Sequence, residues 1–378
     1  MKNNAKVIII GTSHHNTYSM LRCFGESGML ADLILYGNNS SYIFKSRFIA
    51  TKYTAIDASD ALSLLNNTYE KGIIISCTDE ISSLLDKSYS SLKERFVFFN
   101  CGSDGLLTRY MDKFQQTEIA KNIDLKVPFS IAGTPNDILG NINDTSFPLL
   151  IKPLESIHGG KKIRMCNDRE SLVQALKDFD PQSKVLAQDF INKESEIVIL
   201  GVSIGGELII PGYILKFRDT LGGTTYGRVN PISDLPAGIV SSCEKFVDAL
   251  SYEGLFGIEM IKSGDDYYFI EINLRNDATT YALAKAGCNL PLTYFFIKTG
   301  QIDVKIPQPI SSINFMVEFN DIIHVFKREV SLWTWFKQFK GSQCKYCYCS
   351  SDRRAFWPQL GAFMKFVIQM IKTHGIHK

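Results

Sequence analysis

The sequence predicts a mixed fold, with an α/β domain at the amino terminus and an α+β region after it. A chain of 378 residues is long for a single hydrophobic core, so two or three domains are expected. Over about the first hundred residues, apolar strand segments alternate with helical segments, which indicates a parallel sheet flanked by helices. Beyond them, strand signals come in pairs joined by glycine turns, which indicates antiparallel strands.

The first strand signal of the amino-terminal domain ends in a polar turn. The expected strands cover residues 6–10, 32–36, 73–76 and 96–100, and the expected helix covers 18–28. The turn Gly-Thr-Ser-His-His-Asn, which starts at Gly11, is similar to a ligand-facing loop at the carboxyl end of a sheet. It lacks G-x-G-x-x-G spacing and so does not predict a dinucleotide site. His14 is a candidate substrate contact, and simple solvation is the alternative.

Composition and cysteine usage predict a cytoplasmic protein. Hydrophobic residues make up 45% of the chain and charged residues 21%, with a mean hydropathy of −0.01. No apolar run approaches the roughly 20 residues of a membrane span, and the amino terminus lacks a signal-peptide pattern. Nine cysteines, an odd number scattered mostly through apolar segments, indicate reduced thiols.

Two lysines and a glycine pair have the properties of a phosphate site. Asp112 is expected to cap the helix that follows it, which places Lys113 in the first turn. Lys152 lies in the apolar strand signal Leu-Leu-Ile-Lys-Pro, and a buried lysine requires an anionic partner. Gly159 and Gly160 precede two lysines and form a flexible loop whose N–H groups can approach phosphate oxygens.

Two adjacent strand signals carry polar side chains where apolar ones are expected. Glu259 lies among apolar residues, and Glu271, Asn273 and Arg275 alternate with apolar residues on one strand face. A Gly-Asp-Asp turn predicts a hairpin that brings Glu259 close to Glu271. Carboxylate and amide oxygens suit Mg²⁺, and the arginine can reach a phosphoryl group. The alternative is a solvated edge strand.

Further polar elements lie between these two groups of residues. The strand end Gln188, Asp189, Phe190 and Ile191 offers exposed backbone and apolar side chains to an adenine edge. Glu196 then offers a carboxylate to ribose hydroxyls. The segment with Lys216, Arg218 and the glycines and threonines at 222–225 supplies cationic and flexible elements near the substrate.

In this order the residues resemble the ATP-grasp superfamily over roughly residues 1–305. The nearest relatives in appearance are carboxylate–amine ligases of the D-aspartate ligase and carbamoyl-phosphate-synthase-like kind. The resemblance implies an ATP-grasp fold with a Rossmann-like pre-ATP-grasp domain and a helical C-terminal extension. The implied ranges are 1–105 for the first domain, 106–210 and 211–309 for the ATP-grasp halves, with the lid subdomain in the first half, and 310–378 for the tail.

The resemblance also implies roles for the candidate residues. Lys113 and Lys152 would hold the α- and β-phosphates of ATP, and the loop at Gly159 and Gly160 would close over them. Adenine would contact the segment from Gln188 through Asp189 and Phe190 to Ile191, and ribose would contact Glu196. Two Mg²⁺ ions, with Mn²⁺ as a substitute, would bind Glu259, Glu271 and Asn273, while Arg275 and Lys152 would act catalytically. Gln188 and Asp189 stand where relatives often have a glutamate, which puts the adenine contacts in doubt.

The implied function is a carboxylate–amine ligase that uses ATP and Mg²⁺ and works through an acyl phosphate, in cell-envelope or capsule biosynthesis. Its substrates would be small-molecule carboxylates and amines. The alternatives are transfer of the acyl phosphate to a non-amine acceptor and a catalytically silent ATP-binding protein. Asn276, Asp277 and Thr279 follow the metal strand and are candidate substrate contacts, with a structural turn as the alternative.

The carboxyl-terminal tail differs chemically from the remainder of the chain. Residues 322–378 contain ten Lys and Arg against two acidic residues, a net charge of +8 that leaves −6 for the rest. Leu332, Trp335, Phe336 and Phe339 have helical spacing, and residues 359–372 form an apolar segment with one polar stripe. Three partners are considered: the catalytic domains, a second copy in a homodimer, or an inner-membrane surface bound peripherally. A nucleic-acid partner is not predicted, because no recognisable module is present.

The tail also contains Cys344, Cys347 and Cys349 within one short segment. Three sulfurs without a second C-x₂-C half or a spaced histidine form an incomplete zinc pattern, so no zinc site is predicted.

Overall fold

The computed structural model describes residues 5–38, 40–143, 147–153, 163–220, 223–301 and 311–373. The glycine loop expected at Gly159 and Gly160 lies outside the described residues. In the part of the chain that is described, no helix combines the length and apolarity needed to cross a bilayer.

The amino-terminal region forms a five-stranded parallel sheet in the order β3-β2-β1-β4-β5. Its strands are β1 Val7–Gly11, β2 Ala31–Tyr36, β3 Ile49–Ala55, β4 Gly72–Ser76 and β5 Phe96–Val97. Its helices are α1 His15–Gly25, α2 Ala58–Thr68, α3 Asp79–Lys87 and α4 Tyr89–Leu92, with a 3₁₀ turn at Tyr42–Lys45. β1, β2 and β4 are buried throughout, because helices cover both faces of the sheet. The carboxyl ends of β1 and β4 therefore lie side by side.

Three details of this domain differ from the sequence predictions. α1 begins at His15, earlier than expected, because the Nδ1 atom of His14 accepts a hydrogen bond from the backbone N–H of Asn16 and caps the helix. β3 was not predicted, because it is an edge strand with few buried residues and no apolar run. β5 has two residues where five were expected.

A second, four-stranded antiparallel sheet has the order β6-β9-β7-β8. Its strands are β6 Ser130–Gly133, β7 Leu149–Pro153, β8 Arg164–Cys166 and β9 Val185–Asp189. The helices of this region are α5 Leu106–Tyr110, α6 Lys113–Asn122, α7 Pro135–Asn141 and α8 Arg169–Leu176. The expected cap of α6 is confirmed, because Asp112 accepts from the backbone N–H of Gln115 at 2.8 Å. The sheet has its own hydrophobic core, built around Ile138, Ile151 and Leu172.

The third sheet is the largest and has the order β14-β13-β10-β11-β12-β15-β16. Its strands are β10 Ser195–Ile204, β11 Glu207–Thr220, β12 Gly223–Pro231, β13 Gly254–Ser263, β14 Asp266–Asn273, β15 Ile313–Met316 and β16 Cys344–Lys345. Helices α9 Ala237–Ala249, α10 Thr280–Lys285 and α11 Leu290–Lys298 accompany it, with a 3₁₀ turn at Ile232–Asp234. Gly264 adopts φ +59°, a left-handed conformation that suits glycine, and closes the predicted β13–β14 hairpin.

The tail is part of the core and is not only helical. Its helices are α12 Glu318–Asp321, α13 Ile323–Phe326, α14 Leu332–Gly341 and α15 Arg353–Thr373. However, β15 and β16 are strands of the third sheet, and Arg22 of α1 donates to the carbonyls of Lys345 and Tyr346. The boundary expected after residue 210 falls inside β11. All nine cysteines are buried free thiols, and burial raises the pKa of Cys344 to about 12, which disfavours a metal-binding thiolate.

Candidate functional site

Two carboxylates face each other at the edge of the third sheet. Glu259 on β13 is the direct antiparallel partner of Glu271 on β14, and Gly257 is the partner of Asn273. Side chains of directly opposed residues share a face, so the two carboxylates lie close together. The Nδ2 atom of Asn273 donates to Oε1 of Glu259 at 3.3 Å. The predicted hairpin is confirmed, and it gathers these three oxygen-bearing side chains.

Lys113 reaches this hairpin from helix α6. The side-chain amide of Gln116 donates to the carbonyl of Ile272 at 3.1 Å and accepts from the N–H of Ile272 at 3.0 Å. These two bonds satisfy the free edge of β14 and fix the helix against it. Lys113 lies three residues earlier on the same helix face and forms an ion pair with Glu271.

Lys216 on β11 connects two acidic side chains inside the third sheet. Its Nζ atom forms ion pairs with Glu196 on β10 and, at 2.7 Å, with Glu259. Glu196 also accepts from Lys193 at 3.0 Å. Despite burial, the two carboxylates raise the pKa of Lys216, which keeps it charged. Lys216 was predicted as a substrate contact and Glu196 as a ribose contact, and the structure brings them together.

Lys152 is buried on β7 beside an uncharged partner. Its Nζ atom donates to Oε1 of Gln188 at 2.9 Å, and Nε2 of Gln188 donates to Oγ of Ser130 at 3.0 Å. Burial and the nearby charge of Lys113 lower the pKa of Lys152 to about 8. Within the described part of the chain no carboxylate forms an ion pair with Lys152, so a phosphate could serve as the anion that the sequence predicts for it.

The strand end that follows Gln188 is only partly available to a nucleotide. The backbone N–H groups of Asp189 and Phe190 donate to the carbonyls of Phe129 and Pro148. Those two N–H groups are therefore committed, and an adenine edge would have to use other backbone groups near Ile191. The ring of Phe190 is exposed, as an adenine contact requires.

Arg275 joins the hairpin to the first domain. Its Nε atom donates to Oδ1 of Asp79 at 2.7 Å, and its Nη2 atom donates to Oδ1 of Asn273 at 3.1 Å. Asp79 begins α3, immediately beyond β4, whereas Arg275 follows β14. The carboxyl edge of the parallel sheet therefore faces the carboxylate hairpin.

The two opposed carboxylates differ in acidity. Burial raises the pKa of Glu259 to about 7, with Glu271 adding to this effect and Lys216 opposing it. Burial acts in the same direction on Glu271, but the ammonium groups of Lys113, Lys152 and Lys216 outweigh it and lower its pKa. Glu259 is therefore the less stabilised anion of the two.

A cavity of about 500 Å³ separates the first domain from this hairpin. Its walls include Lys216, Glu259, Glu271, Asn273 and Arg275 on one side, and His14, Asn16, Cys77, Thr78 and Asp79 on the other. Asp277 and Thr279 also line it. The segment 77–79 was not among the predicted site residues, although its Cys-Thr-Asp sequence directly after an apolar strand is a signal for such a position.

Two predicted substrate residues have structural partners instead. Arg218 binds both carboxylate oxygens of Asp321 in the tail, at 3.0 and 2.6 Å, and does not line the cavity. Asn276 is fully buried, and its carbonyl accepts from the side chain of Asn16 at 3.0 Å. Asn276 thus connects the hairpin to the turn that begins α1, behind the cavity wall formed by Asn16.

The donor set fits a divalent cation that is shared with phosphate. Among the residues that the structure describes, no group of three or more His, Cys, Asp or Glu side chains could hold a metal ion alone. Mg²⁺ requires fewer protein ligands, because it keeps water and binds phosphate oxygens. Glu259, Glu271 and Asn273 offer two carboxylates and an amide on one face, and because burial raises the pKa of Glu259, a cation beside it would favour its ionised form.

Comparisons with known proteins agree with this architecture. Residues 110–279 match the family model of the ATP-grasp domain. The chain is 22% identical over 190 residues to the C-terminal section of the carbamoyl phosphate synthase large chain from Aquifex aeolicus, which covers 47% of this chain and 35% of that protein. The chain thus spans about a third of the length of this curated relative.

Two solved structures are similar over most of the chain. The N5-carboxyaminoimidazole synthetase from Staphylococcus aureus, complexed with ADP, superposes with a TM-score of 0.67 at 15% identity and covers 87% of each chain. The L-amino acid ligase from Bacillus licheniformis superposes with a TM-score of 0.63 at 15% identity, covering 83% of this chain and 80% of that one. At these identities the similarity shows a shared fold.

Proposed function

The chain belongs to the ATP-grasp superfamily, and on that premise we propose that it is a carboxylate–amine ligase that uses ATP and Mg²⁺. The observation that carries the proposal is that Glu259, Glu271 and Asn273 line one side of a cavity, with the ammonium groups of Lys113 and Lys152 close to Glu271. Phosphoryl transfer depends mainly on positioning and charge neutralisation, and these residues supply both.

Each charged residue has a defined task in the proposed reaction. Lys113 and Lys152 bind phosphate oxygens, and Arg275 stabilises the transferred phosphoryl group. Glu259, Glu271 and Asn273 hold Mg²⁺, which would offset the repulsion between two anions. We propose two such ions, with Mn²⁺ as a substitute. Lys113 forms an ion pair with Glu271 and Lys216 forms one with Glu259, and bound Mg²⁺ and phosphate would compete with these two contacts.

The cavity is the proposed site of the carboxylate and the amine. A carboxylate oxygen attacks the γ-phosphorus, which forms an acyl phosphate and releases ADP. The amine nitrogen then attacks the acyl carbon, which forms the amide and releases phosphate and a proton. Arg275 suits the carboxylate, and Asp79 and Asp277 suit a cationic amine before it loses its proton. Exclusion of water from the cavity would protect the acyl phosphate from hydrolysis.

We propose small-molecule substrates, cytoplasmic location and a place in cell-envelope or capsule biosynthesis. The partner of the C-terminal tail is a separate proposal, because it depends on a different surface.

The test is ADP release with Mg²⁺ and ATP against pools of carboxylates and amines, comparing wild type with Glu271→Ala. Release is expected to require one carboxylate and one amine, and to fall by about 100-fold or more in the variant. Glu244→Ala is the matched control, because Glu244 is exposed on α9, outside the cavity lining.

The other outcomes separate the alternatives. ADP release that needs a carboxylate and no amine would support a non-amine acceptor. Nucleotide binding, measured by a shift in thermal unfolding, without release under any substrate pool would support a silent ATP-binding protein.

A further inference from the structure

The outer faces of two tail helices expose large apolar side chains. On α14, Trp333 is 79% exposed, and Leu332 and Phe336 are also exposed. On α15, Trp357 is 65% exposed, and Met364 and Ile368 are also exposed. Several large apolar side chains exposed together on one helix mark an interaction surface more often than isolated ones do.

On α15 the exposed apolar residues form a single stripe. Trp357, Met364 and Ile368 are spaced i, i+7 and i+11, which places them on one helix face. A different face packs inward, where Phe356 and Phe363 stack on Phe319 with ring centroids 5.9 and 4.8 Å apart. The stripe is therefore presented outward because the other face is already occupied.

α14 has the same organisation. Trp335, Gln338 and Phe339 are partly buried, and Gln338 accepts from Arg218 at 2.8 Å, so this side of the helix faces the body of the protein. Trp333 lies on the opposite side, and the exposed Phe336, whose ring also stacks on that of Phe339 at 6.4 Å, lies between the two sides.

Both helices are held on the short helix α12. Phe319 of α12 contacts α15, and Asp321 of α12 binds Arg218, which in turn binds α14. Both helices are therefore anchored to the same short helix, α15 directly and α14 through Arg218.

Basic side chains border both stripes. Lys337 and Lys340 are exposed on α14, and Arg353, Arg354 and Lys365 are exposed on α15. They belong to the segment 322–378, whose net charge is +8 against −6 for the rest of the chain. We call the exposed sides of the two helices, which carry Trp333, Phe336, Lys340, Trp357, Met364 and Lys365, the basic aromatic face.

We propose that the basic aromatic face binds the anionic surface of a lipid bilayer. Trp333 and Trp357 would lie at the level of the headgroups, where a large ring with one polar N–H is favoured. The bordering lysines and arginines would lie near lipid phosphates, and both helices would lie in the plane of the surface. Lipid matches this charge better than a second copy does, because a two-fold contact would place one basic face against another.

The test is sedimentation of the full chain with vesicles of phosphatidylcholine alone or mixed with phosphatidylglycerol. Binding is expected only to the mixed vesicles and should weaken as salt rises. The chain has three tryptophans, all in the tail, so their emission should shift to the blue on binding. Trp333→Ala and Trp357→Ala are each expected to weaken binding about tenfold, and together by more.

Matched variants separate the face from general effects. Ile56→Ala removes an apolar side chain that is 81% exposed in the first domain, and it should bind as wild type does. Lys337→Glu with Lys340→Glu should abolish binding, whereas Lys71→Glu with Lys245→Glu, at exposed sites outside the tail, should weaken it little.

The proposal is overturned if the double tryptophan variant sediments with vesicles as wild type does. It is also overturned if wild type binds vesicles with and without phosphatidylglycerol equally well. A wild-type dimer that the tryptophan substitutions dissociate, without vesicle binding, would overturn it in favour of a contact between copies. ADP release by the double tryptophan variant in solution should match wild type, so failure of this proposal is separate from failure of the proposed ligase.

Discussion

Glu259 lies directly opposite Glu271 across strands β13 and β14, yet each carboxylate is paired with a different lysine. Lys216 reaches Glu259 from within the third sheet, and Lys113 reaches Glu271 from α6. The lysines offset the repulsion between the two carboxylates. Bound Mg²⁺ and ATP would exchange these ion pairs for others of the same type. The cation would bind the carboxylates, and the phosphates would bind the lysines.

ATP affinity is expected to depend on the charge of Lys152. Its pKa is lowered to about 8, and bound phosphate favours its protonated form, so ATP affinity should fall as pH rises above about 8. Binding should take up protons in that range, which calorimetry in buffers of different ionisation enthalpy measures. Lys152→Met should remove the proton uptake, whereas Lys121→Met, which removes an exposed lysine of α6, should retain it. Proton uptake that persists in Lys152→Met would contradict the assignment.

Gln188→Glu is expected to move this pH dependence upward. The substitution places a carboxylate where Oε1 of Gln188 now lies, 2.9 Å from Nζ of Lys152. An adjacent opposite charge raises the pKa of a lysine, typically by about 1 to 3 units. ATP affinity measured across the same pH series should therefore persist to higher pH. Gln188→Leu, which removes the acceptor without adding charge, serves as the control and should not show the upward shift.

Asp79→Asn is expected to lower activity with little effect on stability. Asp79 holds Nε of Arg275 at 2.7 Å, but its side chain is 53% exposed, so the ion pair contributes little to folding. Loss of the charge should leave Arg275 less firmly oriented and lower kcat/KM for ADP release about tenfold. The free energy of unfolding, measured with a denaturant, should change by less than about 0.5 kcal/mol. A large loss of stability with unchanged kcat/KM would show a purely structural role.

Asp321→Ala, unlike Asp79→Asn, is expected to lower the stability of the fold strongly. Asp321 is fully buried, accepts two bonds from Arg218 and accepts one from the hydroxyl of Thr225 at 2.7 Å. Removing one partner of a buried ion pair leaves an unpaired charge and costs about 3 to 5 kcal/mol, which urea denaturation can measure. Asp266→Ala breaks the exposed pair with Lys126 and should cost less than about 1 kcal/mol. Replacing Arg218 and Asp321 together with apolar residues should cost less than Asp321→Ala alone.

The β-bulge in β11 explains why Arg218, predicted as a substrate contact, does not line the cavity. Lys216 and Arg218 are two residues apart, and strict alternation would place both on the cavity side. The register with β12 shifts between these two residues, which changes the direction of the strand. Lys216 consequently meets Glu259, whereas Arg218 meets Asp321, which lies 103 residues further along the chain.

Residues 77–79 line the cavity but were not among the residues predicted from the sequence. Asp79 and Arg275 are 196 residues apart in sequence, and nothing local to either one indicates the other. Their contact depends on how the first sheet packs against the third, which the paired side chains of Asn16 and Asn276 also bridge.

The sequence by itself determined the local elements of this protein. Periods of two and 3.6 residues, turn glycines and caps act over a few neighbouring residues, so the β13–β14 hairpin, the cap of α6 and the strand lysine Lys152 could be read directly. The tertiary structure alone decided which charges meet. In the folded chain Lys216 lies between Glu196 and Glu259, and Arg218 pairs with Asp321. Asp79 lines the cavity, and the outer faces of α14 and α15 remain exposed. Such pairings arise from the packing of sheets and helices that are distant in sequence, because a buried charge is stable only where the whole fold brings it a partner.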